Sequence, residues 1–204
     1  MANKGSPFER EICKQLSLWW TNGRTDDVFW RTQGSGGRAT NRSKRGRSTF
    51  GQYGDICAVN PIGLPLTNLF LLELKRGYHH SNIYELFDRD VRHKNSPKKQ
   101  LQWEEWYDKA NDNNEKAGTY SWLLIAKRDY RDTIVHMRED TLTLFQHAGA
   151  FQSNKYKGKI LSARADIFTR PAKVWVRDTI VGIPLSDFLA EVSASMIVGM
   201  ELSS

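Results

Sequence analysis

Residues 70–77 read FLLELKRG, an apolar strand-like run that carries an acid and an amine three and five positions after its start. Side chains alternate faces along a strand, so Glu73 and Lys75 point the same way while Leu74 points the other. A strand this apolar belongs deep in a sheet, where two charges on one face need a partner or a task. Working backwards, the nearest strand-like run is DICAVN, with Asp55 at its entrance. Pairing of the two runs as an antiparallel hairpin across PIGLPLT would set Asp55 beside Glu73 and Lys75 at one rim of the sheet. Converging carboxylates repel unless a cation lies between them. Oxygen donors without a Cys or His cluster favour Mg²⁺, with Mn²⁺ able to substitute, over zinc. A lysine beside such an ion could orient a water for attack on a phosphate. Taken singly, each residue has a plainer reading: a strand-exit ion pair for Glu73 and Lys75, a turn residue for Asp55.

The flanking segments set these strands in an α/β frame. SPFEREICKQLSLWW has a Ser cap, a Pro in the first turn and Glu9 three residues after the cap, which predicts a helix. Phe8, Ile12, Cys13, Leu16, Trp19 and Trp20 share one face of it. Glu9 falls inside that apolar arc, so it is either the acid of a capping box or a group looking into the site. DVFWRTQ reads as a strand, SNIYELFDRDV as a short helix, SPKKQLQWEEWYDKAND as a second capped helix and TYSWLLIAKR as a further strand. The order αβββαβ implies an α/β fold with a mixed central β-sheet flanked by helices. Beyond residue 131, DTIVHMR and KVWVRDTIVGIPL read as strands, EDTLTLFQHA and LSDFLAEVSASMI as helices. With no long linker, residues 131–204 are expected as an extension packed on the same domain as residues 1–130.

Charge points to the substrate. The chain of 204 residues has a formal net charge of +7 and 39% hydrophobic residues, enough apolar matter for a folded core. No acid lies between Asp27 and Asp55, whereas Arg31, Arg38, Arg42, Lys44, Arg45 and Arg47 all do. Set among Gly, Ser and Thr, they form an arm suited to following phosphates. No apolar run approaches a membrane span and MANKGSPFER lacks a signal peptide's apolar stretch, so no membrane partner and a cytoplasmic setting are expected. Cys13 and Cys57, the two cysteines, read as reduced thiols in apolar surroundings. His79 and His80 read as a solvated loop pair, and Trp103, Trp106 and Tyr107 as core stripe rather than base-stacking face. Walker loops, haem motifs and nucleophilic triads are missing from the sequence.

A helix-borne Glu, a Gly/Ser loop, then Asp and Glu-X-Lys on consecutive strands resemble the PD-(D/E)XK nuclease superfamily and its restriction-endonuclease-like fold. Within it the likeness is to archaeal-type Holliday-junction resolvases, over roughly residues 4–130. KGSPFERE resembles their first helix with its acid, here Glu9; RTQGSGG their Ser-bearing loop, here Ser35; GDICAV the metal-binding Asp strand, here Asp55. LLELK resembles the Glu-X-Lys strand, here Glu73 and Lys75, and KKQLQWEEW the helix whose start bears a Gln, here Gln100 or, as the alternative, Gln102. The resemblance implies a homodimeric, Mg²⁺-dependent endonuclease that resolves four-way or other branched DNA, leaving 5′-phosphate and 3′-hydroxyl ends. Asp55, Glu73 and Glu9 would be its metal ligands and Lys75, Gln100 and Ser35 would complete the catalytic set. Three features depart from the pattern: Gly54 stands where the motif has Pro, the arm is longer and more basic, and the carboxy-terminal part has no counterpart. Two other readings stay open: a nuclease for linear duplex, flap or foreign DNA, and a non-catalytic DNA-binding module of the same fold.

Overall fold

The computed structural model describes residues 5–32, 53–78, 81–88 and 100–201. Ser35, Arg38, Arg42, Lys44, Arg45, Arg47, His79, His80 and the expected Ser96–Pro97 helix start lie outside the described residues. The first helix, α1 (Gly5–Trp20), spans the predicted segment. It ends in a turn where Gly23 donates its N–H to the Leu18 carbonyl at 2.7 Å. A short antiparallel pair follows, β1 (Phe29–Arg31) with β2 (Ile56–Ala58).

The connection from β2 to the Glu-X-Lys strand is helical, where a turn or hairpin link was expected. Asn60 caps a single 3₁₀ turn beginning at Pro61, and α2 (Leu64–Leu69) follows with another proline in its first turn. Proline is well placed at the start of a helix, where its missing N–H costs nothing. Leu66 and Leu69, three apart and buried, give α2 its inward face.

The main sheet has five strands in the order β3-β4-β5-β7-β6. In it β3 (Phe70–Arg76) runs parallel to β4 (Ser121–Lys127), and a crossover containing α3 (Gln102–Ala117) joins them. The remaining neighbours, β5 (Thr133–Arg138), β7 (Val174–Pro184) and β6 (Leu161–Thr169), are all antiparallel. This is the expected mixed sheet flanked by helices. Strand β6 escaped the sequence reading because its inward positions include Ala163 and Ala165, too small to produce an apolar alternation. The single carboxy-terminal helix expected over LSDFLAEVSASMI is two, α5 (Leu185–Glu191) and α6 (Ala194–Glu201), preceded in the chain by α4 (Glu139–His147). The break falls where Val192 turns extended and the Ser193 hydroxyl accepts the Met196 N–H at 3.2 Å, a side-chain cap that starts a new helix.

The two faces of the sheet bury separate apolar clusters. One takes α1, α2, α4, α5 and α6, with Phe8, Ile12, Leu16, Phe145 and Phe188 packed on Phe70, Leu72 and Leu74 of β3. On the opposite face α3 lays Trp103, Trp106, Tyr107 and Ala110 over Leu71, Trp122 and Leu124. The α3 aromatics are therefore core, as the stripe suggested. Both cysteines are free thiols, and burial, helped by the neighbouring Cys57, pushes the Cys13 thiol up to about 12. Among the described residues no helix is long and apolar enough to cross a membrane.

Candidate active site

Strand β3 is an edge strand, and edges expose backbone groups that need partners. Residue 55 supplies them. The Asp55 N–H donates to the Leu72 carbonyl at 2.8 Å, and the Leu74 N–H donates to Asp55 Oδ2 at 2.8 Å. Asp55 thus stands in for one residue of a missing strand, with its carboxylate completing the pairing. Its own carbonyl accepts the Thr32 N–H at 3.0 Å, tying β1 to the same edge.

Gly54 explains why the residue before Asp55 is not proline. Its φ is +81°, and a Cβ there would lie 2.9 Å from the Leu72 carbonyl oxygen. Proline, locked near −65°, cannot take that conformation. The glycine lets the chain approach β3 closely enough for Asp55 to bridge its edge.

Alternation along β3 sends Leu72 and Leu74 to one core, while Leu71, Glu73 and Lys75 face α3. Glu73 is 1% exposed, Asp55 and Lys75 8% each. Glu73 Oε2 accepts from Lys75 Nζ and from Lys109 Nζ, both at 2.9 Å; Glu73 Oε1 accepts from Asn113 Nδ2 at 2.8 Å. Lys109 and Asn113 are four apart on α3 and so share the face above β3. Neither was singled out from the sequence, and an i, i+4 polar pair on a helix covering the Glu-X-Lys strand was the available signal.

The electrostatics follow from this arrangement. Burial and then the Glu73 charge raise the Asp55 carboxyl from 3.8 to about 6, against the pull of Lys75. For Glu73 burial acts upward, but the Lys75 and Lys109 ammoniums outweigh it and hold the carboxyl below its ordinary value. Glu73 is therefore an anion at neutral pH, with an acid next to it that ionises reluctantly. Two hard carboxylates in one buried setting, one of them destabilised for want of positive charge, suit a divalent cation.

The other expected site residues sit apart from this core. Glu9 is half-buried and ion-paired with Arg31, which lies in β1 opposite Ile56, the neighbour of Asp55. Among the described residues no group of three or more His, Cys, Asp or Glu is gathered as a metal cluster. Gln100 donates to Asp108 Oδ2 at 2.6 Å and to the Phe168 carbonyl at 3.1 Å, which fastens the start of α3 to β6. Gln102, the alternative, donates to Glu105 Oε2 at 3.0 Å on the exposed side. The structure thus unites Asp55, Glu73 and Lys75, pairs Glu9 of α1 with Arg31 of β1, and gives both glutamines other partners.

A family model described as "Phage putative PDDEXK endonuclease" matches residues 1–169. The chain belongs to that family. The match extends through the helix bearing Glu9, the Asp55 and Glu73 strands and α3, and on past residue 130 to the end of β6. No curated protein and no solved structure matches the chain. It is a nuclease of the PD-(D/E)XK superfamily, and DNA is the substrate such a family implies.

Proposed function

We propose that this nuclease is a divalent-metal-dependent DNA endonuclease, using Mg²⁺ or in its place Mn²⁺, with branched DNA such as a four-way junction as its substrate. The observation that supports the chemistry is the buried Asp55–Glu73–Lys75 set on the edge of β3, with Lys109 and Asn113 aligning Glu73. Asp55 and Glu73 would hold the cation, with Glu9 reached directly or through water. The donor chemistry fits, since all the candidate ligands are carboxylates. A cation held there supplies electrophilic activation of the scissile phosphate.

The protein's own groups do the remaining work in this reading. Lys75 orients the attacking water and offsets the negative charge that grows on the phosphate oxygens. Its contact with Glu73 fixes the ammonium in place before substrate arrives. Lys109 is a second cation on the same carboxylate and shares the stabilisation of added negative charge. Ser35 and the arginines and lysines of the arm, from Arg31 to Arg47, would grip the scissile and adjacent phosphates. Gln100 would act on Lys75 or the water only if its bonds to Asp108 and Phe168 were exchanged.

The branched-DNA preference rests on the ordered likeness to Holliday-junction resolvases. So does the homodimer, which would present two sites for paired cuts; the cytoplasmic setting rests on the reduced cysteines and the sequence pattern instead. Cleavage of a four-way junction and of a linear duplex of matched sequence, at equal salt with Mg²⁺ and with chelator, tests it. Junction cleavage at least tenfold faster than duplex cleavage is expected. Equal rates on the two would replace it with a nuclease for linear, flap or foreign DNA. No cutting of either would favour a non-catalytic DNA-binding module.

A further inference from the structure

A concavity of about 350 Å³ has Lys75, the partner of Glu73, in its lining. It lies on the α3 face of the sheet. Trp103 and Trp106 of α3, Tyr78 just after β3, Tyr84 of the 3₁₀ turn Ile83–Leu86 and His136 of β5 give it five aromatic rings. The rings are already arranged edge to face: Tyr78 on Trp106 at 4.9 Å and Trp103 on His136 at 4.7 Å between centroids. Tyr78 and Tyr84 are 42% and 63% exposed, so their faces are open to a further flat ring.

The rim is basic. Lys127, Arg128, Arg131 and Lys159 surround the cavity, against the single acid Asp132. Arg128, Arg131 and Lys159 are exposed and make no ion pair among the described residues. Inside, the Trp103 indole N–H is buried without a hydrogen-bond partner among the described residues, an unmet donor that a buried site seldom tolerates. His136, driven down to about 4 chiefly by burial, is neutral, with its Nδ1 against the Leu124 carbonyl at 3.3 Å. The cavity therefore combines aromatic rings with the Lys75 ammonium in its lining and a cationic entrance.

We infer that this cavity receives one unpaired nucleobase of the DNA strand, stacked on Tyr78 and Tyr84, with its flanking phosphates on Arg128 and Arg131. Aromatic faces take any base. The hairpin joining β4 to β5 adds a device for exposing such a base. At its tip Tyr130, fully exposed and at φ +59°, stands between Arg128 and Arg131, where an aromatic wedge between cations can enter a base step. The inference rests on the nuclease reading in one respect: it makes the cavity the place where distorted DNA is sensed, beside Lys75. Extrahelical or unpaired nucleotides occur at branch points, bulges and flaps and are absent from uniform duplex.

The test is binding of the full-length protein, in chelator to prevent cleavage, to a duplex with one bulged thymidine. The comparison is the same duplex with an abasic residue at the bulge. Stacking of one base predicts roughly 5- to 150-fold tighter binding of the base-containing bulge. Tyr84→Ala, an exposed position that leaves the core intact, should collapse that ratio towards one, whereas Arg131→Ala should weaken both bulges and lower the salt dependence. Equal affinity for the two bulges, or an unchanged ratio in Tyr84→Ala, would overturn the inference. Either result could stand beside metal-dependent cutting by the wild-type protein, so failure of the cavity and failure of the nuclease reading are separately visible.

Discussion

Replacing Asp55 by Asn should make the metal-free protein more stable at neutral pH while removing its activity. Asp55 is buried beside the Glu73 anion, and its carboxyl is raised from 3.8 to about 6. A carboxyl whose folded value lies above its unfolded value favours the protonated folded state. Its contribution is fully present below about pH 4 and is lost as pH rises through about 6. Above that, ionised Asp55 destabilises the apo-protein by an amount on the order of 3 kcal/mol, since a tenfold change in an acid's ionisation constant is worth about 1.4 kcal/mol. Asparagine keeps the acceptor for the Leu74 N–H and carries no charge, so the edge of β3 stays closed. For a chain of this size the difference corresponds to roughly 5–10 °C in Tm. Thermal melts followed by circular dichroism, in chelator at pH 8 and at pH 4.5, read it directly. The variant should melt higher than wild type at pH 8, with the gap closing at pH 4.5. Adding Mn²⁺ or Mg²⁺ should raise the wild-type Tm and leave the variant nearly unmoved. A wild-type apo-protein as stable as the variant at pH 8 would refute the electrostatic reasoning.

Three further outcomes probe the same framework. Gly54→Pro, which writes the superfamily's usual residue into this chain, should destabilise it by several kcal/mol because φ is +81° there. Urea denaturation would measure the loss, and an unchanged midpoint would contradict the close approach of residue 54 to β3. Asn113→Leu removes the donor to Glu73 Oε1 and should slow cleavage by roughly tenfold, the cost of one hydrogen bond to a charged group. Single-turnover rates at saturating metal would detect it. Glu104→Ala should cost on the order of 3 kcal/mol in folding stability, because its buried carboxylate accepts the Leu101 and Phe168 N–H groups and joins the α3 start to β6.

What the sequence made legible were the features that depend on local pattern. Amphipathic spacing placed α1, and apolar runs placed β3 and β4. The alternation of Glu73 and Lys75 against Leu74 held because β3 is buried on both faces. The antiparallel hairpin expected to bring Asp55 to these two does not form: β2 pairs with β1 in a separate sheet, and the link to β3 is a helix rather than a turn. Features made by long-range contact were harder to read. Asp55 meets β3 through backbone bonds across a free sheet edge, and nothing near residue 55 advertises that edge. Lys109 and Asn113 look like ordinary solvent-facing residues of α3 until the helix is laid over Glu73. Gln100 has a short polar side chain at a helix start, and only the position of β6 decides that Phe168 and Asp108 are its partners. Strand β6 was invisible because alanines sit where a stronger signal needs Val or Ile. Glu9 marks the middle ground: its place in the apolar arc left a capping acid and a site-facing group both open, and the partner it meets, Arg31, comes from β1.

The most direct measurement is the rate of Mg²⁺-dependent cleavage of a labelled four-way junction and its linear control by wild type, Asp55→Asn and Lys75→Ala. Circular dichroism would confirm that all three are folded. The account predicts cutting by the wild-type protein that stops on chelation, and a loss of at least a hundredfold in each variant, with DNA binding retained. Cleavage by either variant at near the wild-type rate would contradict the assignment of the buried Asp55–Glu73–Lys75 set as the catalytic centre.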